Sequence, residues 1–202
     1  MRAFLVGLII GILLIAGGAY YYFVSGRAPA AVEDKPMPFE RQLANGALHA
    51  HIDKEMPGSA PIAADESTFL AGAQTYSQHC GICHGFPGIE QSAMSKGMFP
   101  KPPQLFKGKG VTDDPAGESY WKVANGIRLT GMPEFKHILN DTQIWQVSLL
   151  LSNADKISDA VKQQLKPGMP SASETGPMPP ASSTPANLEK VPRKPASPPP
   201  TH

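Results

Sequence analysis

The two cysteines of the chain lie in the stretch YSQHCGICHGFPG, at positions 80 and 83, with His84 directly behind the second. Four chemistries use cysteines spaced this way. A covalent haem takes two thiols from one helical turn to its two vinyl groups and aims the adjacent histidine at the iron. A structural zinc needs four closed nitrogen or sulfur ligands; with no third cysteine, His79, His84 and His137 would have to complete an irregular set. A thioredoxin-like thiol pair needs a βαβ context, which the sequence lacks, and leaves His84 without a role. A plain disulfide would span only a two-residue gap at the end of a helix. The haem reading gives Cys80, Cys83 and His84 each a task, and it is the expectation carried forward.

An iron so held has a second axial position to fill. Met94 and Met98 follow His84 closely, in the loop that must first wrap the histidine's side. Met132 stands far enough downstream to return over the opposite face, with Gly131 permitting a close approach and Pro133 stiffening the exit. Met132 is therefore the expected second ligand, and His137 is the alternative, which would give a lower-potential bis-histidine iron.

These residues need helices to position them. The segment DESTFLAGAQTYSQHC places Phe69, Gly72, Ala73, Tyr76 and Cys80 along one face, with acidic residues in the first turn where the helix dipole favours them. GESYWKVANG reads as a short helix ending at a glycine. NDTQIWQVSLLLSNADKI opens with Asn140 and Gln143 at capping-box spacing, followed by a stripe of Ile144, Val147, Leu150 and Leu151. The long Pro-, Gly- and Lys-rich stretch between 85 and 117 predicts a loop that only a ligand could organise in a domain of this size.

Outside this folded unit, expected over 65–166, the composition changes. Ala3 to Val24 is an uncharged run, long enough to cross a hydrocarbon core of roughly 30 Å at about 1.5 Å per residue. Tyr20, Tyr21, Tyr22 and Phe23 sit at its distal end, where tyrosine rings favour the membrane interface. Residues 1–26 thus read as a transmembrane anchor. The alternative is a cleaved export signal, for which Ala28-Pro29-Ala30 offers small residues, but the apolar run exceeds the usual core of about 7–15 residues. Residues 27–64 carry five prolines and read as an extended tether with one short helix, FERQLANGALHAHI, on which Phe39, Leu43, Leu48 and Ile52 fall near helical spacing. His49 and His51 point to different faces of such a helix and are expected to be solvated. Residues 167–202, rich in Pro, Ser, Ala and Thr, predict a disordered tail. With a formal net charge of +1, no polybasic stripe and no nucleotide-binding glycine loop, no nucleic-acid partner is expected.

The region from about Thr68 to Lys156 resembles a class I monohaem cytochrome c of the membrane-anchored bacterial type. Gly72, Tyr76 and Cys80 stand in the register of that family's first helix, Pro103-Gln104-Leu105 matches its Pro-x-Leu, and NGIRLTGMPEF is similar to its methionine loop. The resemblance implies an all-α fold of three main helices and long loops around one covalent haem c. It also implies that the Pro103 carbonyl accepts the other N–H of His84, which fixes the tautomer of that ring, that Gly72 lets the terminal helix cross closely, and that Arg128 partners a haem propionate. The family's terminal helix often bears an aromatic near the crossing, where this chain places Leu150, with Trp145 a turn earlier.

With both axial positions filled by protein, the remaining chemistry is one-electron exchange, so the expected function is electron transfer between redox protein partners rather than turnover of a small-molecule substrate. Lys96, Lys101, Lys107 and Lys109 are candidates to ring the exposed haem edge and steer an acidic partner. Because haem is attached to exported thiols, the expected location is the cytoplasmic membrane, single-pass, with the cytochrome domain facing the periplasm or cell exterior. Two other classes remain: a haem subunit of a larger dehydrogenase or oxidase, and a gas sensor or peroxidase-like enzyme in which Met132 is labile.

Overall fold

Asp65 begins the folded unit: its carboxylate accepts the backbone N–H of Thr68 at 2.9 Å and so satisfies one of the orphan donors of a helix start. That hydrogen bond, with a smaller one from the Ser67 hydroxyl, holds the Asp65 carboxyl below its ordinary range. The computed structural model describes residues 1–107 and 114–167. Its helices are α1 (Arg2–Val24), α2 (Glu40–Glu55), α3 (Glu66–His79), α4 (Gly81–His84), α5 (Ala93–Lys96), α6 (Ala116–Asn125), α7 (Asp141–Ser152) and α8 (Asp159–Gln164). No strand occurs among the described residues; a single bridge pairs Phe86 with Ile89. The all-α expectation holds.

The core forms where α3, α6 and α7 meet, and its fully buried side chains include Tyr76, Ile144, Val147 and Leu150. At the α3–α7 crossing, a Cβ added to Gly72 would lie 2.3 Å from the carbonyl oxygen of Gln146 and 3.2 Å from the Leu150 Cβ. Only glycine lets the backbones approach this closely. Leu150 is therefore the crossing residue on α7. Trp145 turns away to stack on Tyr120 of α6, with ring centroids 4.3 Å apart. The capping box of α7 is complete: Gln143 N–H donates to the Asn140 side chain at 2.9 Å, and Asn140 N–H donates to Gln143 Oε1 at 3.0 Å.

Three features depart from the sequence expectations. The terminal helix stops at Ser152, and the chain turns into a separate α8, which covers α3 through buried Val161 and Leu165 and through the Ser77 hydroxyl donating to the Gln164 carbonyl at 3.0 Å. The predicted loop between 85 and 117 contains a helical turn, α5. Finally, the tether is free over a shorter length than expected. The C-terminal half of α2 lies on α6, burying Ile52 to 1% exposure; Trp121 Nε1 donates to Glu55 at 3.0 Å, and a Cβ on Gly117 would sit 2.0 Å from the Pro57 carbonyl oxygen. Of the expected apolar stripe Ile52 is buried and Leu48 half-buried, while Phe39 and Leu43 stay exposed. His51 is half solvated but not idle, since its ring meets Trp121 edge-on at 5.5 Å and its Nε2 lies 3.2 Å from Glu55. The 167–202 tail falls, from 168 onward, outside the described residues, as does Lys109.

α1 runs for 23 residues with no buried side chain, and its most apolar 18-residue stretch has a mean hydropathy of 2.4, long and apolar enough to cross a membrane.

Candidate functional site: the Cys80–His84 turn

α3 ends at Cys80, and α4 is one further turn that carries Cys83 and His84. The backbone N–H groups of Cys83 and His84 both return to the Cys80 carbonyl, at 3.1 and 2.9 Å. Residues three apart on such a turn share a face, so the two thiols point to the same side. Gly85 closes the turn with φ +76°, a conformation that favours glycine. Its carbonyl accepts the Tyr76 hydroxyl at 2.8 Å. Burial pushes the Tyr76 phenol well above its ordinary range, which keeps it a donor. The buried tyrosine thus ties α3 to the exit of the turn, and the Phe106 ring meets its face edge-on at 4.9 Å.

His84 has the arrangement a metal ligand needs. Its Nδ1–H donates to the Pro103 carbonyl at 2.8 Å, which fixes the tautomer and leaves the Nε2 lone pair free. Burial holds its imidazolium below the usual range, against the opposing pull of the Pro103 carbonyl, so the ring is neutral at neutral pH. A cavity of about 490 Å³ opens beside it, lined by Phe86, Gln91, Gln104 and Phe106 among others. That volume lies within the range of cofactor pockets, about 300–1,000 Å³. Neither cysteine nor Met132 lines this cavity.

The thiols are free and half-buried. Burial, with a smaller contribution from the neighbouring Cys83 charge, pushes the Cys80 thiol up to about 12. A thiol so resistant to ionisation is a poor nucleophile for disulfide exchange. Among the described residues, no three His, Cys, Asp or Glu side chains are grouped to hold a metal ion. His137, needed for the zinc set, is 73% exposed and faces Glu134 at 3.4 Å. The donor set of two thiols on one turn, one oriented imidazole and a distant thioether therefore fits a haem and not a zinc ion.

Met132 is half-buried and packs against the core. Its loop is a closed turn: Ile127 N–H donates to the Met132 carbonyl at 3.2 Å, the Thr130 hydroxyl donates to the Ile127 carbonyl at 2.6 Å, and Met132 N–H donates to the Thr130 hydroxyl at 3.1 Å. Gly126 forms its floor with φ +67°, and a Cβ there would meet Glu134 N and Met132 O at 2.7 and 2.8 Å. Arg128 lies exposed on the same loop. Of the four lysines proposed for the exposed edge, Lys96 is paired with Glu90 at 2.9 Å, Lys96 and Lys107 flank the His84 cavity, and Lys101 is exposed.

Two residues that the sequence reading passed over hold the turn from outside. The Ser92 hydroxyl donates to the Ile82 carbonyl at 2.9 Å, and the Ser95 hydroxyl, with Ser95 fully buried, donates to the Cys83 carbonyl at 2.6 Å. These carbonyls end a helix and lack helical partners. The signal available in the sequence was the Ser92 cap of α5, too short a helix to stand out.

Residues 67–151 match the family model described as cytochrome c oxidase, cbb3-type, subunit III. No curated protein matches the chain. Among solved structures, one chain of the Kuenenia stuttgartiensis reducing HAO-like protein complex Kustc0457/Kustc0458 is similar, with 22% identity over 60% of this chain and a TM-score of 0.42. The match spans about half, 52%, of that chain's own length. The family match falls on the helices and the turn just described, and over residues 67–151 the chain is similar to a c-type cytochrome domain.

Proposed function

We propose that the protein is a membrane-anchored carrier of single electrons, with one haem c held by thioether bonds to Cys80 and Cys83 and ligated by His84 and Met132. The observation that carries this reading is the hydrogen bond from His84 Nδ1–H to the Pro103 carbonyl, which presents Nε2 from the same turn as both thiols. Bound haem iron supplies one-electron exchange between its ferrous and ferric states. The chain's contribution is to orient the imidazole, to keep it neutral, and to offer a thioether from a closed loop on a different segment. A methionine opposite the histidine raises the potential relative to two histidines. The exposure of His137 and its pairing with Glu134 speak for Met132 over the bis-histidine alternative.

The length and apolarity of α1 support a single span, and attachment of haem to exported thiols puts the domain on the periplasmic or outer side. Fifteen residues, 25–39, separate α1 from α2. As a coil they would reach about 20 Å, at 5–6 Å times the square root of length. The docked half of α2 thus confines the domain nearer to the membrane than a free tether through residue 64 would, and raises its effective concentration at neighbouring complexes. A haem subunit of an oxidoreductase complex is the second reading, favoured by the description of the family that 67–151 matches. Purification in mild detergent separates the two: a stoichiometric partner supports the subunit.

Carbon monoxide titration of the reduced full chain tests the carrier chemistry. With both axial positions filled by protein, binding at neutral pH is slow and partial. Rapid, complete binding would instead indicate an open site and a gas-binding or peroxidase-like protein.

A further inference from the structure

The sequence alone places Met98 on the histidine's side of the site; the fold carries its side chain to Gly131, next to Met132. α5 is fastened to the cysteine-bearing turn by the Ser92 and Ser95 hydroxyls, which donate to the Ile82 and Cys83 carbonyls. Gly97 N–H then folds back on the Ala93 and Met94 carbonyls at 3.2 and 3.1 Å, and Met98 N–H on the Ser95 carbonyl at 3.3 Å. The direction of Met98 is therefore set by a turn bonded directly to the cysteine segment. Its side chain ends on the backbone of Gly131: a Cβ added there would lie 1.9 Å from Met98 Cε and 3.7 Å from its Sδ. Glycine at 131 is what leaves room for the methyl group.

The loop it touches needs such a support. Its inner half rests on Gly126 and is closed by the Thr130 hydrogen bonds. Its outer half is strained and unpacked, since Leu129 takes φ +61° and is 92% exposed. A leucine in the left-handed region stores strain that the surroundings must hold, and on the outer side of Gly131 the Met98 methyl is what the backbone meets.

We propose that Met98 is a positioning residue for the distal ligand: it clamps the Gly131–Met132 backbone and, through Ser95, couples the cysteine-bearing turn to the loop that presents Met132. The inference rests on Met132 being the second ligand. A flexible thioether side chain suits the task because it fills an irregular gap between two loops without demanding one rotamer. Truncating it removes the clamp, lets the strained loop relax, and makes the Met132 sulfur leave the iron more often.

The test uses the full-length, haem-loaded chain in detergent and two readouts: the near-infrared methionine–iron charge-transfer band of the ferric form and the rate of carbon monoxide binding by the ferrous form. Met98→Ala is expected to weaken the band and speed carbon monoxide binding about tenfold, as loss of part of a methionine's packing implies. Met98→Leu, which keeps the volume, stays close to wild type. Gly131→Ala retains both methionines but forces them apart, and it should also speed binding. Adding Met98→Ala to it removes the clash and returns the rate to that of Met98→Ala alone. If Met98→Ala does not load haem, Met98→Leu and Gly131→Ala carry the test. Wild-type band and rate in both Met98→Ala and Gly131→Ala would overturn the clamp. A wild-type protein without the band, or a Met132→Ala variant that keeps it, would overturn the Met132 reading itself; in the latter case the Met98 sulfur would be the ligand.

Discussion

Gly72→Ala adds one methyl group where α3 crosses α7, and the structure sets both the sign and the size of its effect. The new Cβ would lie 2.3 Å from the Gln146 carbonyl oxygen and 2.7 Å from its carbon. Both are backbone atoms, so no rotamer change relieves the contact, and the helices must separate by roughly 1 Å to restore van der Waals distance. Inserting a methyl into a packed core costs about 1–3 kcal/mol, and a clash with backbone belongs at the upper end. Alanine's better helix propensity returns about 1 kcal/mol, leaving a net loss of about 2 kcal/mol. For a domain of this size, such a loss lowers the thermal midpoint by roughly 8–16 °C. The assay is thermal and guanidinium unfolding of the haem-loaded full chain, followed by far-ultraviolet circular dichroism. Gly46→Ala is the control: it lies in a helix with nothing within 4 Å of the added Cβ, and there propensity alone acts. A Gly72→Ala protein as stable as wild type, or more stable, would refute the close crossing.

Ser95→Ala strips the Cys83 carbonyl of a buried donor and is expected to cost about 1–3 kcal/mol, read as a shift of the guanidinium midpoint; an unchanged midpoint would mean the hydroxyl is dispensable to the turn. Ile52→Ala removes the one buried side chain of α2 and should cost about 2–5 kcal/mol of local docking, seen as faster proteolysis at Lys54 with the haem spectrum unchanged. Asp65 gives a pH signature. Its folded-state carboxyl lies below the ordinary value of 3.8, so its capping contribution is full above that value and is lost as pH falls through the lower folded one. Asp65→Asn, a neutral cap, should show a flatter decline of thermal midpoint with acid, and a decline as steep as that of wild type would remove Asp65 as its cause.

The chemistry-bearing turn was legible because it is local. Cys80, Cys83 and His84 share one helical turn, the Asn140–Gln143 cap is a four-residue pattern, and helical periodicity marked α3, α6 and α7. What escaped was set by contacts between distant segments or by short elements. Met98 reaches Gly131 because two serines bond α5 to the cysteine-bearing turn, and nothing in the spacing of 92–98 announces that direction. The docking of α2 depends on Ile52, Glu55 and Trp121 meeting across the chain, while its more conspicuous apolar residues, Phe39 and Leu43, remain in solvent. α8 escaped because it is only six residues long, although Ser158 followed by Asp159 was a readable helix start. Leu150 could stand at the crossing without an aromatic because Gly72 leaves space for its Cβ and Trp145 has a stacking partner in Tyr120.

The central claim is that His84 and Met132 together close the iron of a covalent haem to other ligands. The most direct measurement is the near-infrared absorption of the ferric full-length protein beside its Met132→Ala variant. A methionine–iron charge-transfer band is expected in the wild type and its loss in the variant, with the haem still attached through Cys80 and Cys83. A band that survives Met132→Ala would contradict it.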